Sequence, residues 1–307
     1  MEYRSLGGSG LAVSVAGLGC NNFGMRIDYD ATVAVLDAAI DAGINFFDTA
    51  RSYGGGKSEE FMGQALEGRR DSVIIATKFG SPTEGARTPG SRQHVLRSVE
   101  ASLRALRTDY IDLYQLHFPD ATTPIEETLS ALDLLVQQGK VRYVGCSNFA
   151  GWMIADAHWI ASTRGFERFI TVQNEWSLLS RAVEGEVTAA CGHFGASILP
   201  YFPLASGMLT GKVQRGEQAP EGSRLRADYF APTLSEANFD RLDKIRAWAD
   251  DHGRPLLEVA LSWLASQPVV GSVIAGATSP AQVQANAAAT KTDLTADDIA
   301  ELGAAAA

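Results

Sequence analysis

Residues 44–59 read Ile44-Asn45-Phe46-Phe47-Asp48-Thr49-Ala50-Arg51-Ser52-Tyr53-Gly54-Gly55-Gly56-Lys57-Ser58-Glu59. The run Ile44–Phe47 is short and apolar, which predicts a buried strand. A carboxylate, Asp48, follows at once. Tyr53 comes five residues later, in a loop that Gly54-Gly55-Gly56 makes flexible. Upstream, Val33, Leu36 and Ile40 share one helical face, and Gly43 can end that helix. The unit is therefore helix, strand, polar loop, and it recurs in both directions along the chain.

Similar short runs occur at Val15–Leu18, Val73–Ala76, Ile111–Tyr114, Val141–Val144, Ile170–Val172, Ser197–Leu199 and Val273–Ala275. Helical stripes separate them. Val95, Val99, Leu103 and Leu106 follow a cap at Ser91. Ile125, Leu129, Leu132 and Val136 follow the capping box Thr123-Pro124-Ile125-Glu126, with proline at the first helical position and Gly139 at the end. Leu257, Leu261 and Leu264 form another stripe after Pro255. Strand-helix alternation in one direction implies parallel strands with right-handed crossovers, and eight strands are the number of a closed barrel. The expected fold is α/β: a (β/α)8 TIM barrel, one domain over residues 1–307. It carries an N-terminal β-hairpin within residues 1–14 and extra helices after strand 7 and at the C-terminus. Residues 205–234 are too long for a routine loop and read as a lid or ligand clasp. Ala304–Ala307 reads as a frayed tail.

Composition narrows the partners. Hydrophobic residues make up 46% of the 307 and charged residues 20%, as in ordinary globular proteins. The formal net charge of −10 argues against a nucleic-acid backbone or an anionic membrane as the main partner, yet permits a local basic pocket. Cys20, Cys146 and Cys191 are odd in number and widely spaced, so they read as reduced thiols rather than disulfides or metal ligands. Met1–Leu11 lacks the apolar run of a signal peptide, and nothing approaches the ~20 apolar residues of a membrane span. The expected location is cytoplasmic.

Four ionisable groups stand at successive strand ends: Asp48 after Ile44–Phe47, Tyr53 in the loop beyond it, Lys78 after Val73–Thr77, and His117 after Ile111–Leu116. Taken singly, each has a structural explanation as cap, packing or solvated side chain. In a barrel all of these ends open onto one face. A phenol beside an ammonium has its pKa lowered, Asp48 holds Lys78 charged, and His117 can hydrogen-bond a substrate oxygen. The set fits proton donation to a developing alkoxide. An anion site is read from Gly276-Ala277-Thr278-Ser279-Pro280, where Ser279 caps a helix, Pro280 opens it and Gln282 closes a capping box. Two apparent phosphate motifs fail. Gly56-Lys57-Ser58 has Arg51 where a P-loop needs its first glycine, and Gly17-Leu18-Gly19 has Asn22 where a dinucleotide fingerprint needs its third.

With these residues assembled, the chain resembles an aldo-keto reductase along nearly its whole length. The segments that carry the resemblance are Asn45–Ala50, Tyr53–Glu59, Ala76-Thr77-Lys78-Phe79-Gly80 and Leu113-Tyr114-Gln115-Leu116-His117, in the family's order. It implies reduction of a small-molecule aldehyde or ketone, with Tyr53 as general acid and Asp48, Lys78 and His117 completing a tetrad. It also implies an extended nicotinamide dinucleotide, NADP(H) with NAD(H) as the alternative, and no metal. Ser147 and Asn148, within Gly145–Phe149, and Gln173 resemble the carboxamide partners. Tyr201 matches the aromatic under the nicotinamide. Phe202-Pro203-Leu204-Ala205-Ser206-Gly207 and Leu209-Thr210-Gly211-Lys212 resemble the pyrophosphate loop of the branch that includes potassium-channel β subunits. Arg224 adds a second cation beside Lys212. Gly276, Thr278, Gln282 and Asn286 match the adenosine end, and Gly19, Asn21 and Asp48 complete the implied contacts. The family often has a cation where Thr278 stands and an acid where Ala285 stands, so strict NADP preference falls to Lys212 and Arg224. Phe23, Phe118 and Phe149 are the expected substrate-pocket residues. Two other readings compete. One is a redox-sensing subunit whose cofactor state reports to a partner. The other is a barrel hydrolase using Asp48 and His117, which leaves Lys78, Tyr53 and the carboxamide segment unexplained.

Overall fold

The computed structural model describes residues 1–307. The chain opens with an antiparallel hairpin, β1 (Tyr3–Ser5) and β2 (Ala12–Ser14), with Tyr3 opposite Ser14. Its turn is set against the barrel floor. Gly7 has φ of +54°, and a Cβ there would lie 2.5 Å from the Ile170 carbonyl oxygen, so only glycine fits. Leu6 projects from the same turn and is fully buried.

Eight parallel strands follow: β3 (Ala16–Gly19), β4 (Phe46–Asp48), β5 (Ile74–Phe79), β6 (Ile111–Leu116), β7 (Val141–Ser147), β8 (Thr171–Gln173), β9 (Ser197–Ile198) and β10 (Val273–Gly276). From β4 to β9 each pairs with its predecessor, and β10 pairs with β3. The remaining seam closes through Ile198 N–H to Val269 O at 2.7 Å, Gly271 N–H to Ile198 O at 3.0 Å and Ile274 N–H to Pro200 O at 3.1 Å. The helices α1 (Tyr29–Asp41), α2 (Lys57–Ala65), α3 (Arg92–Ala105), α4 (Ile125–Gln137), α5 (Gly151–Arg164) and α6 (Glu186–Phe194) lie between strands. After β9 come α7 (Glu236–Asp251), α8 (Leu256–Ala265), and, beyond β10, α9 (Pro280–Ala289) and α10 (Ala296–Ala305). This is the (β/α)8 barrel, with α7 and α10 as the extra helices.

Side-chain alternation builds the interior in layers. Leu6, Val13, Phe46, Ala76, Leu113, Leu199 and Ile274 form a buried apolar cluster at the lower end. Two residues further along the same strands, the inward positions become Asp48, Lys78 and Gln115. The outward residues join a second cluster beneath the helices, including Phe47, Ile75, Tyr114 and Val144.

Several local expectations are corrected. Pro124 is the N-cap of α4 rather than its first residue, and no side chain caps it; Thr123 instead donates to Asp120 Oδ2 at 2.7 Å. The α1 face in the core centres on Val35, Leu36 and Ala39, with Val33 only half-buried. The predicted frayed tail is helical through Ala305, and Ala306 is buried. Trp263 Nε1 donates to Ile299 O and Trp248 Nε1 to Glu301 Oε2, which fastens α10 to the barrel.

Candidate active site

Asp48 is the last residue of β4 and Lys78 the last but one of β5, so both lie within strands rather than past their ends. Their side chains point inward at one level. Lys78 is fully buried, and its ammonium donates to Asp48 Oδ1 at 2.5 Å, to Thr49 O at 2.9 Å and to Tyr53 Oη at 3.4 Å. Asp48 Oδ2 accepts from Gln173 Nε2 at 2.8 Å and from Gln115 Nε2 at 3.4 Å, and Gln115 Oε1 accepts from Thr171 Oγ1 at 3.2 Å. The carboxylate is thus matched by one cation and by amides from two further strands, as a buried charge requires.

Tyr53 opens a tight turn, Tyr53–Gly56, that leads into α2. The sequence suggested a flexible loop; the structure has a fixed one. Gly54, Gly55 and Gly56 all have positive φ, and a Cβ on Gly54 would meet the Phe23 carbonyl oxygen at 2.7 Å. The Tyr53 ring meets the His117 ring edge-on at 5.8 Å between centroids. All four predicted residues therefore converge.

Their electrostatics depart from expectation in one respect. The Tyr53 pKa is raised, not lowered: burial dominates, Lys78 opposes it, and Asp48 adds to it. Burial alone would lower Lys78, but Asp48 and Tyr53 more than offset that, so its pKa is raised and it remains an ammonium. Burial, reinforced by Lys78, pushes His117 down to about 3, and its Nδ1 is buried without a partner. Cys20 lies close enough for Asp48 and Lys78 to affect it, but burial pushes its thiol well above the usual range. It is an inert neighbour.

Several of the predicted cofactor residues are linked by hydrogen bonds to this centre or to one another. Ser147 Oγ donates to Gln173 O at 2.7 Å, and Asn148, at φ +63°, donates from Nδ2 to His117 O at 2.9 Å. Tyr201 Oη donates to Asn148 Oδ1 at 2.8 Å, and burial pushes that phenol up to about 12. Beyond Tyr201, Pro203 is buried and Leu204 half-buried. Phe202, Ala205, Ser206 and Gly207 all have positive φ in the bend that follows. Lys212 is exposed. Arg224 Nη2 reaches across to Asn21 Oδ1 at 2.6 Å and Asn22 Oδ1 at 2.7 Å, in the loop after Gly19. Arg26 donates in the opposite direction, to Gly222 O. Residues 205–234 are thereby strapped to the loop after β3.

At β10, a Cβ on Gly276 would approach Asn22 Nδ2 to 3.3 Å. Ser279 caps α9, accepting from Gln282 N–H, and Pro280 is its first residue, as read. The capping box is shifted by one residue: Gln282 Oε1 accepts from Thr278 N–H at 2.8 Å, not from Ser279. Gln282 and Asn286 share one face of α9, four residues apart.

Two expectations for the substrate pocket fail. Phe23 is fully buried and Phe149 is 3% exposed, packed edge-on against Phe169, so neither presents a surface to a ligand. Phe118 is 37% exposed and stacks on His117 at 4.9 Å. Residues the sequence reading missed are Gln115 and Thr171, which satisfy Asp48, and Arg26 and Asn22, which hold the strap. An inward parity count along β6 and β8 finds the first pair; nothing in the local sequence signals the second.

The model for the aldo/keto reductase family matches residues 16–307. A probable voltage-gated potassium channel subunit beta of Oryza sativa subsp. japonica is 36% identical over 296 residues, covering 93% of this chain and 90% of that protein. The oxidoreductase YrpG of Bacillus subtilis (strain 168) is 38% identical over 289 residues, covering 90% and 87%. Versiconal hemiacetal acetate reductase of Aspergillus parasiticus is 34% identical over 297 residues, covering 87% and 86%. With a match that takes in every barrel strand, and relatives aligned along nearly all of their own length, the chain belongs to the aldo/keto reductase family.

Proposed function

We propose that this single-domain barrel reduces aldehydes or ketones to alcohols with NADPH, with Tyr53 as the general acid. The observation that carries the reading is the Tyr53–Lys78–Asp48 chain, in which a phenol is joined to a buried ammonium whose charge is fixed by a carboxylate.

The residues fit a nicotinamide dinucleotide. Arg224 and Arg26 are held by neutral oxygens rather than carboxylates, and burial followed by repulsion from Arg26 lowers the Arg224 pKa. An anion between the strap and α9 relieves both penalties. Arg224 and Lys212 would hold the phosphates. Ser147, Asn148 and Gln173 would hold the carboxamide, and Tyr201 would cover the ring. When bound, the dinucleotide supplies a hydride to the carbonyl carbon. Tyr53 Oη gives its proton to the carbonyl oxygen, and the resulting phenolate is stabilised by Lys78. His117 is neutral across the working range. The tautomer with its proton on Nε2 leaves only a lone pair at the unpartnered Nδ1 and lets the ring donate to the same oxygen. With its pKa raised by burial, Tyr53 stays protonated at neutral pH as any phenol does, and giving up its proton depends on Lys78 beside it.

Titration with NADPH and NADH, followed by quenching of the five tryptophans, tests the cofactor assignment. Tighter NADPH binding is expected; no binding of either ends the reading. The names of the potassium-channel relatives favour a second reading, a redox-sensing subunit. Tight cofactor binding with negligible turnover on an aldehyde panel would favour it over the enzyme.

A further inference from the structure

The side chain of Glu59 is fully buried, and the proposed chemistry does not use it. It sits in the first turn of α2, directly after the turn that carries Tyr53. Its Oε1 accepts from Thr77 Oγ1 at 2.7 Å. Thr77 precedes Lys78 in β5 and points to the opposite, outer face. Tyr114 is the cross-strand partner of Thr77 and points the same way. Ser102 faces Glu59 from α3.

This layer between barrel and helices is largely apolar, yet Glu59 Oε2, Ser102 Oγ and Tyr114 Oη are buried there and none of the three makes a close hydrogen bond. Such a group costs stability and is retained where a directional contact matters. Arg51 Nη1 is 3.8 Å from Glu59 Oε2, and burial pushes the carboxyl above its usual range. Beside it, Ser58 Oγ donates to Cys20 O and lies 2.8 Å from Thr49 Oγ1. The start of α2 is thus pinned to the β3, β4 and β5 ends at two consecutive residues.

We propose that Glu59 is a positioning residue for the reaction: through Thr77 it fixes the Tyr53 turn relative to Lys78. The inference rests on the reductase reading for its consequence but not for its geometry. The Tyr53–Lys78 contact is long at 3.4 Å, so a small shift of α2 breaks it. A leucine at 59 could fill the space but could not set the register of α2 against β5.

The test uses Thr77→Val, which removes only the donor, with Glu59→Ala and Glu59→Gln. Turnover and NADPH affinity are measured on each. Tyr53 ionisation is followed independently by fluorine NMR of cofactor-free protein carrying 3-fluorotyrosine, the resonance being identified by its loss in Tyr53→Phe. In Thr77→Val and Glu59→Ala, kcat falls about 10- to 100-fold from misplacement, with KM and NADPH affinity unchanged. The Tyr53 midpoint moves upward because the ammonium has receded. Glu59→Gln retains kcat within about threefold, since its amide offers an acceptor to Thr77 and a donor to Ser102. An unmoved Tyr53 midpoint in Thr77→Val overturns the proposal whatever the activity, and so does a Glu59→Gln variant as impaired as Glu59→Ala. If the midpoint moves but the wild type reduces no carbonyl, the reductase reading fails while the positioning role stands.

Discussion

At the residue scale, function turns on how burial sets protonation. Lys78 and Asp48 are a buried pair whose members need each other. Asp48→Ala is expected to destabilise the protein by about 3–5 kcal/mol, because it leaves an unmatched buried ammonium. Urea denaturation measures this; a loss under about 1 kcal/mol would show that Lys78 is matched by other groups. His117 gives a pH signature. Its folded pKa is about 3. Unfolded, it titrates near ~6.5, so below that pH the unfolded chain binds a proton that the folded chain refuses. The stabilisation is complete above about pH 6.5 and declines by about 1.4 kcal/mol per unit as pH falls toward the folded value. The denaturation midpoint of His117→Gln should therefore fall less steeply than that of the wild type between pH 6.5 and 5. Parallel slopes would mean that His117 accepts its proton while folded.

At the scale of elements, the proposed cofactor preference rests on the strap formed by residues 205–234. Arg224 links it to Asn21 and Asn22, so Arg224→Ala removes both a cation and the fastening. NADPH affinity is expected to fall about 10- to 100-fold, as for loss of a charge-assisted contact, while NADH affinity falls less. Equal losses for both would assign Arg224 to closure alone. This scale also shows what the sequence hides. Apolar periodicity ends where the inward residues turn polar, so β5 read as stopping near Ala76 when it runs to Phe79 and carries Lys78 inside it. Phe23 and Phe149 look like pocket residues because aromatic loop residues often are, but the loops fold them into the core. The partners of Arg224 lie some two hundred residues away, beyond any local signal. The convergence of Asp48, Tyr53, Lys78 and His117 was legible because they follow three neighbouring apolar runs, and the start of α9 because Ser279-Pro280 is a local signal.

At the scale of the whole molecule, the barrel separates stability from chemistry. The lower end is an apolar plug and the upper end a polar layer, on the same strands. Leu6, in the hairpin turn, closes the plug, and Leu6→Ala is expected to cost about 2–5 kcal/mol while leaving kcat nearly unchanged. A large fall in kcat without loss of stability would contradict that separation. Strand count and direction were readable from the repeating runs. The seam was not, because β9 is only Ser197–Ile198 and closure depends on backbone bonds to the segment before β10.

The central claim is that Tyr53 delivers the proton. The most direct test compares NADPH oxidation by wild type and Tyr53→Phe on a panel of aldehydes, with NADPH affinity measured on both. The account predicts that kcat falls by at least about 10²- to 10⁴-fold, the range for loss of a general acid, with the dissociation constant for NADPH unchanged. Undiminished turnover in Tyr53→Phe would contradict it.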